Sequence, residues 1–320
     1  MERILITGGL GHIGSGLIRF LSDYDLTVCD NLSTQRYCSL FNLEKNIRFV
    51  DHSFMDLDKS FLDKFDAVIH LAAITDAASS FRDPKWVWKV NVEQTCKFLT
   101  KVEHSKVKTV IFPSSTSVYG TSDKLVNEDK KYVNAQSPYA ETKVWVEDWI
   151  NENLQETKYI ILRLGTIYGI SNGMRFHTAI NKFCYQAAFN KPLSVWKQNY
   201  HHYRPYLCLS DLCSLMRHIL DEELVYNQTY NVLTDNHKLS EIVEQIKKYV
   251  SHLDVEFVDT PLLNQHSYKV SNKKLLELTE WRPCGKVENA IAETLELLGY
   301  EDINYRRRRK AGKKNNSVKP

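Results

Sequence analysis

Thr7-Gly8-Gly9-Leu10-Gly11-His12-Ile13-Gly14 stands directly between an apolar run over 3–7 and a helical pattern over 13–21. Glycines at 8, 11 and 14 permit a tight turn and a close backbone approach to a pyrophosphate. The helix start beyond them offers unpaired N–H donors and the positive end of its dipole. Asp30 ends the next strand-like run, 22 residues after Gly8. That is the place from which a carboxylate accepts a hydrogen bond from a ribose 2′-hydroxyl. The same carboxylate repels a 2′-phosphate, and Asn31-Leu32-Ser33 add no arginine, so NAD is expected over NADP. The expected cofactor set here is Gly8, Gly11, His12, Ile13, Gly14, Asp30 and Asn31.

A strand–turn–helix of this kind needs a parallel sheet, and the chain supplies one. Strand-like runs over 3–7, 26–30, 47–50, 67–71, 109–112 and 159–164 alternate with helical patterns over 13–21, 84–102 and 137–153. The alternation predicts an α/β, Rossmann-type doubly wound sheet. After Gly165 it loosens into helices over 176–189, 209–220, 238–249 and 287–297, with short strands over 193–195, 230–232 and 255–258. We therefore expect a cofactor domain over 1–165 that carries the catalytic residues. A smaller mixed α/β lobe, mainly substrate-binding, follows over 166–303, with some segments returning to the sheet. Residues 304–320 contain Arg306-Arg307-Arg308-Arg309-Lys310 and too few apolar side chains to pack, which predicts a disordered, solvated tail.

Global charge selects no partner: 42 basic against 39 acidic residues leave +3. No apolar run approaches the roughly 20 residues of a membrane-crossing helix. Neither nucleic acid nor a membrane is an expected partner, and the cytoplasm is the expected compartment. The seven cysteines and the histidines show no metal-ligand spacing, so no metal is expected.

The chemistry is concentrated further along. Pro113-Ser114-Ser115-Thr116-Ser117-Val118-Tyr119-Gly120 closes the fifth strand-like run, and Tyr139-Ala140-Glu141-Thr142-Lys143 lies in the following helix. Tyrosine and lysine four apart share a helix face. An ammonium beside a phenol favours the phenolate, lowering its pKa towards the range of a working base, and Ser115 is placed to hold the substrate oxygen. With the glycine turn upstream, these residues resemble the extended short-chain dehydrogenase/reductase superfamily, in particular its NAD-dependent epimerase/dehydratase family, over roughly residues 1 to 300. His70-Leu71-Ala72-Ala73, Asn91 and Arg163-Leu164-Gly165-Thr166-Ile167-Tyr168-Gly169 are further matches. The resemblance implies that Leu71, Ala72, Ala73 and Asn91 line the cofactor site and that Asp56 serves the adenine, since Ser53 and Phe54 stand where an aspartate is common. It implies that Ser115 positions the substrate oxygen. Tyr139 moves the proton, and Lys143 tunes Tyr139 while contacting the nicotinamide ribose.

On the substrate side, Arg204-Pro205-Tyr206 and Leu209-Ser210-Asp211 resemble the family segment whose arginine pairs with a nucleotide diphosphate; the alternative is an Arg204–Asp211 surface pair. Arg175, Asn181, Ser115, Thr116 and Thr166 complete the implied substrate set. Asp76 either binds sugar hydroxyls or caps a helix. Thr116 and Ser117 replace the acidic pair of related 4,6-dehydratases, so dehydration is not expected. Thr166 stands where many 4-epimerases have asparagine, and Gln265-His266-Ser267-Tyr268 lacks a frequent arginine. The implied activity is nucleotide-sugar epimerisation at C4 through a 4-keto intermediate, on a nucleotide-diphosphate sugar. The alternatives are a C4 dehydrogenase or 4-keto reductase and, in another class, a non-catalytic NAD-sensing scaffold whose tail binds RNA or protein. Helices carrying Trp86 and Trp88, and Trp145 and Trp149, correspond to a dimer interface in relatives, which implies a homodimer; the same tryptophans would otherwise be core.

Overall fold

The structure, a computed structural model, describes residues 2–77, 79–222, 225–250, 252–259 and 267–300. Gln265-His266 and the basic stretch 304–320 lie outside the described residues.

The central sheet has seven parallel strands in the order Gln228–Val232, Lys158–Leu164, Thr109–Ser115, Ala67–His70, Arg3–Thr7, Asp25–Asp30 and Arg48–Asp51. Its inner strands are nearly continuous apolar runs because helices cover both faces. Successive side chains go to opposite sides. Ile4 and Ile6 join one core with Ile69, Ile111, Ile160 and Leu162, whereas Leu5 joins the other with Val68, Val110, Phe112 and Ile161.

The chain starts at the centre, winds to one edge and then crosses to Ala67–His70 on the other side of its first strand. That reversal opens a crevice at the carboxyl ends of the strands. Thr7, Asp30, His70, Ser115 and Leu164 all stand along it.

The later chain is divided between two bodies. Strand Gln228–Val232 pairs with Lys158–Leu164, and helix Leu209–Asp221 buries Leu212, Leu215, Met216 and Ile219 in the core of Ile4 and Ile6. A separate core gathers helices Ala179–Ala188, Leu239–Lys247 and Val287–Leu297 around Leu193, Val195 and Tyr206. Its strand Tyr203–Cys208 lies between Asp235–Lys238 and Thr166–Tyr168.

The helical pattern over 84–102 is not one uniform helix. An α-helical turn, Pro84–Trp88, passes through a π-helical segment, Lys89–Gln94, into helix Thr95–Glu103. The wide turn carries Asn91, and the Thr95 hydroxyl donates to the Val90 carbonyl five residues back at 3.3 Å. Among the described residues no helix is long and apolar enough to cross a membrane.

Gly14 shows how tightly the first turn is packed: a Cβ there would lie 2.4 Å from the Gly9 carbonyl oxygen and 2.5 Å from its Cα. Backbone cannot yield as a side-chain tip can. Gly14→Ala is therefore expected to lower stability by roughly 1–3 kcal/mol, read as a lower urea midpoint with an unchanged slope.

Candidate active site

Gly8 takes φ of +69°, which favours glycine, and its N–H donates to the Cys29 carbonyl at 2.7 Å. A Cβ at Gly8 would come within 2.6 Å of the Ala72 backbone, so the loop after Ala67–His70 lies directly over the turn. Asp30 ties the turn to its own strand end. One carboxylate oxygen accepts the Leu10 N–H at 3.0 Å and the other the Leu32 N–H at 2.9 Å. Asn31 is exposed and its side chain accepts from the Ser33 N–H at 3.1 Å. Asp56 is also exposed, close enough to the end of strand Asp25–Asp30 to reinforce the effect of burial, which pushes the Cys29 thiol up to about 12.

Two turn residues have side chains engaged within the fold. Ile13 packs against the first core. His12, held down to about 4 chiefly by burial, is neutral and donates Nε2–H to the Gly169 carbonyl at 2.9 Å. Nearby, the Ser15 hydroxyl accepts the Gly173 N–H at 2.8 Å, and Ser39 donates to the Leu10 carbonyl at 2.8 Å. Segment 169–173 is thereby laced to the glycine turn. Leu32 and Gln35, with φ of 54° and 53°, curl the chain back and bring Arg36 beside Gly11. Sequence spacing alone did not show this arginine; paired left-handed residues were not visible at Leu32 and Gln35. The preference for NAD thus rests on the Asp30 carboxylate alone.

The loop holding Leu71, Ala72 and Ala73 is fixed from both ends. The Leu71 N–H donates to the Thr7 carbonyl at 2.9 Å. Asn91 pairs with Ile74 as a backbone would, accepting its N–H at 2.8 Å and donating to its carbonyl at 2.9 Å. The same amide reaches the Thr142 hydroxyl at 3.4 Å, joining the loop to the Tyr139 helix. His70 spans Thr7 at 2.7 Å and Thr95 at 3.3 Å, and burial lowers it to about 3, so it is a neutral strut.

Helix Pro138–Asn153 begins beside Ser115. Ser137 caps it by accepting the Ala140 N–H at 3.1 Å, and Pro138 suits the first turn, where no N–H is needed. Tyr139 and Lys143 are 9% and 5% exposed. Ser115 Oγ accepts both the N–H and the hydroxyl of Ser117, at 3.1 and 2.9 Å, and is hydrogen-bonded to Tyr139. The Lys143 ammonium donates to the Pro113 carbonyl at 2.8 Å and lies 5.9 Å from the Tyr139 ring centre.

The electrostatics correct one expectation. Burial pushes the Tyr139 phenol up to about 12, and the influences working against that are the Ser115 hydrogen bond and the Arg175 charge. The Lys143 ammonium is hydrogen-bonded to the Pro113 carbonyl. Burial lowers Lys143 to about 8, with the Glu147 charge opposing.

Among the expected substrate residues besides Ser115, Arg175 bears on Tyr139. Its guanidinium donates to the Thr75 hydroxyl at 2.5 Å and acts electrostatically on Tyr139, Asp76 and Arg36. Thr166 is half-buried opposite Tyr206. Two residues have other work. Asn181 is fully buried; its side chain accepts the Gly169 N–H at 3.3 Å and donates to the Gly169 and Arg175 carbonyls at 3.4 and 3.3 Å. Thr116, 2% exposed, donates to the Leu164 carbonyl at 3.1 Å. Both side chains brace neighbouring backbone.

Arg204 does not depend on Asp211, whose carboxylate accepts from Cys284, Gly285 and Thr234. It lies 5.6 Å over the Tyr268 ring, and the Tyr268 hydroxyl is 3.4 Å from that of Thr116. Tyr268, missed in the sequence, joins the lobe to the end of the catalytic strand. Among the described residues no three His, Cys, Asp or Glu side chains converge as a metal site would require.

Comparison with known proteins bears on the same residues. The model of the NAD dependent epimerase/dehydratase family matches residues 4–232. A putative UDP-glucose 4-epimerase of Methanocaldococcus jannaschii is 31% identical over 174 residues, 52% of this chain and 56% of that one, so the chain spans about half the length of this relative. The dTDP-D-glucose 4,6-dehydratase of Bos taurus is 26% identical over 97% of this chain and 92% of its own. Among solved structures, the UDP-N-acetylglucosamine 4-epimerase of Methanobrevibacter ruminantium M1, in complex with UDP-N-acetylmuramic acid, superposes with a TM-score of 0.81. It is 26% identical, covering 92% of this chain and 97% of that one.

Because Asn91 completes the Ile74 backbone pair, Asn91→Ala is expected to lower stability by about 1–3 kcal/mol. Hydrogen exchange should show the Ile74 amide losing protection before the strands do.

Proposed function

The chain belongs to the NAD-dependent epimerase/dehydratase family, and from that premise we propose that it is a nucleotide-sugar epimerase acting at C4 through a 4-keto intermediate. One observation carries the reading: Ser115, Tyr139 and Lys143 meet at the strand end facing the glycine turn, with no carboxylate at 116 or 117.

NAD fits the residues present. Gly8 leaves no room for a Cβ under Ala72, and Asp30 is held at the strand end by two N–H donors. The backbone N–H groups of the turn, with Arg36 beside Gly11, suit a pyrophosphate. Bound there, NAD would supply the hydride acceptor and donor for the chemistry at C4.

The protein's part is proton handling. Tyr139 takes the proton of the C4 hydroxyl as that carbon is oxidised and gives it back on reduction. Ser115 Oγ already accepts two hydrogen bonds, so its own proton is left to point at Tyr139 or the sugar oxygen. Lys143 uses one N–H on the Pro113 carbonyl, which leaves two donors for ribose hydroxyls. Arg204 is the diphosphate-facing cation and Arg175 the sugar-facing one, with Asp76 beside Arg175.

Dehydration needs an acid and a base next to Ser115. Thr116 is hydrogen-bonded to the Leu164 carbonyl and Ser117 to Ser115, and neither supplies one. A C4 dehydrogenase or 4-keto reductase uses the same residues, and the product separates these cases. A non-catalytic scaffold has no use for a buried serine–tyrosine–lysine set.

Trp86, Trp88 and Trp145 are 49%, 36% and 42% exposed, and the Trp88 and Trp145 rings meet edge-on at 5.9 Å. Trp149 instead packs on the second core. This exposed aromatic face supports a homodimer, and the free thiols support a cytoplasmic site of action. Trp145→Asp should shift the protein towards monomer in sedimentation velocity.

The decisive assay incubates the enzyme and NAD with UDP-, GDP-, CDP- and dTDP-sugars, following reduced nicotinamide by absorbance and products by NMR. A C4-inverted sugar without net reduced cofactor is the expected result. Accumulating reduced cofactor makes the enzyme a dehydrogenase, and no turnover on any sugar defeats the proposal. Tyr139→Phe should retain NAD binding and lose turnover by roughly 10²–10⁴-fold.

A further inference from the structure

Glu147 lies two helical turns beyond Tyr139 and one beyond Lys143, on the same face of helix Pro138–Asn153. It is 3% exposed. Its carboxylate accepts from the Ser114 hydroxyl and from Arg163, through Nε at 3.1 Å to each oxygen and Nη2 at 2.6 Å. Ser114 and Arg163 are register partners on neighbouring strands, and Asn231 is the partner of Arg163 on the next. Arg163 also donates to the Tyr119 hydroxyl at 2.9 Å, which donates to Asn231 at 2.7 Å.

This layer brackets Ser115. Ser114 precedes it, Tyr119 ends the turn that follows it, and the Pro113 carbonyl that receives Lys143 is one residue further back. Resting on the epimerase reading above, we propose that Glu147 is a positioning residue. It fixes Ser115 and Lys143 against each other by gripping strand and helix together, and it supplies the negative charge that faces Lys143.

The groups around the Lys143 ammonium leave that task to Glu147. On its own helix are Tyr139, a neutral phenol, and Glu147. From strand Ala67–His70 comes His70, neutral in its buried strut. Strand Thr109–Ser115 offers the Pro113 carbonyl and the Phe112 ring, 4.6 Å away. Arg163 lies behind Glu147, and Arg175 with Asp76 across Tyr139. Glu147 opposes the burial that lowers Lys143 to about 8. Removing its charge moves the proton loss of Lys143 to lower pH, and the protonated lysine that the reaction needs then persists only below the new value.

Glu147→Gln keeps an acceptor for Ser114 and removes the charge. The Lys143 side-chain carbon resonance, followed against pH in the full-length protein, should titrate about one unit lower, and a shift of one unit means a tenfold change in protonated fraction. That titration needs no sugar substrate, so its failure is distinguishable from failure of the proposed activity. The alkaline limb of kcat should move down in step, with KM little changed. Glu147→Leu combined with Arg163→Leu removes the pair without leaving a lone buried charge and should restore the melting temperature. If the role is positioning and electrostatic, the lowered alkaline limb persists in that stable double variant. An unmoved Lys143 titration in Glu147→Gln, or a double variant with a wild-type pH profile, overturns the proposal.

Discussion

The Lys143 ammonium meets the Pro113 carbonyl at 2.8 Å inside a joint that solvent scarcely reaches, and that contact fixes where the strand end and the helix face each other. An amine so placed must be hydrogen-bonded, because a buried polar group without a partner is costly. The helix therefore has one permitted height against strand Thr109–Ser115. Ser137 and Pro138 set its start, and the Ser114–Glu147–Arg163 layer sets its far side. Tyr139 then falls within hydrogen-bonding reach of Ser115 without any adjustment of its own.

The other half of the crevice is positioned by the sheet reversal between Arg3–Thr7 and Ala67–His70. Its two faces are held by neutral side chains: His70 between the Thr7 and Thr95 hydroxyls, and, on backbone, His12 on Gly169, Asn91 on Ile74, and Asn181 on Gly169 and Arg175. Each replaces what would otherwise be an unpaired backbone or hydroxyl group near the mouth of the site. Segment 169–175 matters most, since it is laced to the glycine turn at one end and delivers Arg175 to Tyr139 at the other. One continuous piece of chain thus links the glycine turn to Tyr139.

The glycine turn, Asp30 and the Tyr139–Lys143 stripe were legible because each is encoded in local spacing, and local spacing survives folding. The six early strands were legible for the same reason: burial on both faces leaves uninterrupted apolar runs. Strand Gln228–Val232 was expected with the second lobe, and its place on the sheet is decided by long-range pairing with Lys158–Leu164 that no local pattern records. Arg36 was hidden by two left-handed residues, Leu32 and Gln35, of types that seldom adopt that conformation. Thr116 and Asn181 were read as ligand groups because their types suit it, whereas their hydrogen bonds to backbone appear only in three dimensions. The direction of the Tyr139 shift was misread for a related reason. A helix period shows that a lysine shares its face, but not that the ammonium turns to a carbonyl or how far burial outweighs it.

Those buried values constrain the chemistry. Burial works against the charged form of both groups, raising the Tyr139 phenol and lowering the Lys143 amine, whereas base catalysis requires a phenolate beside an ammonium. That effect is opposed from two sides. Glu147 holds the proton on Lys143, while Ser115 and Arg175 favour the Tyr139 phenolate. Two charges outside the serine–tyrosine–lysine set thus act on it. Arg175 belongs to the segment laced to the glycine turn, whereas Glu147 belongs to the sheet's interior.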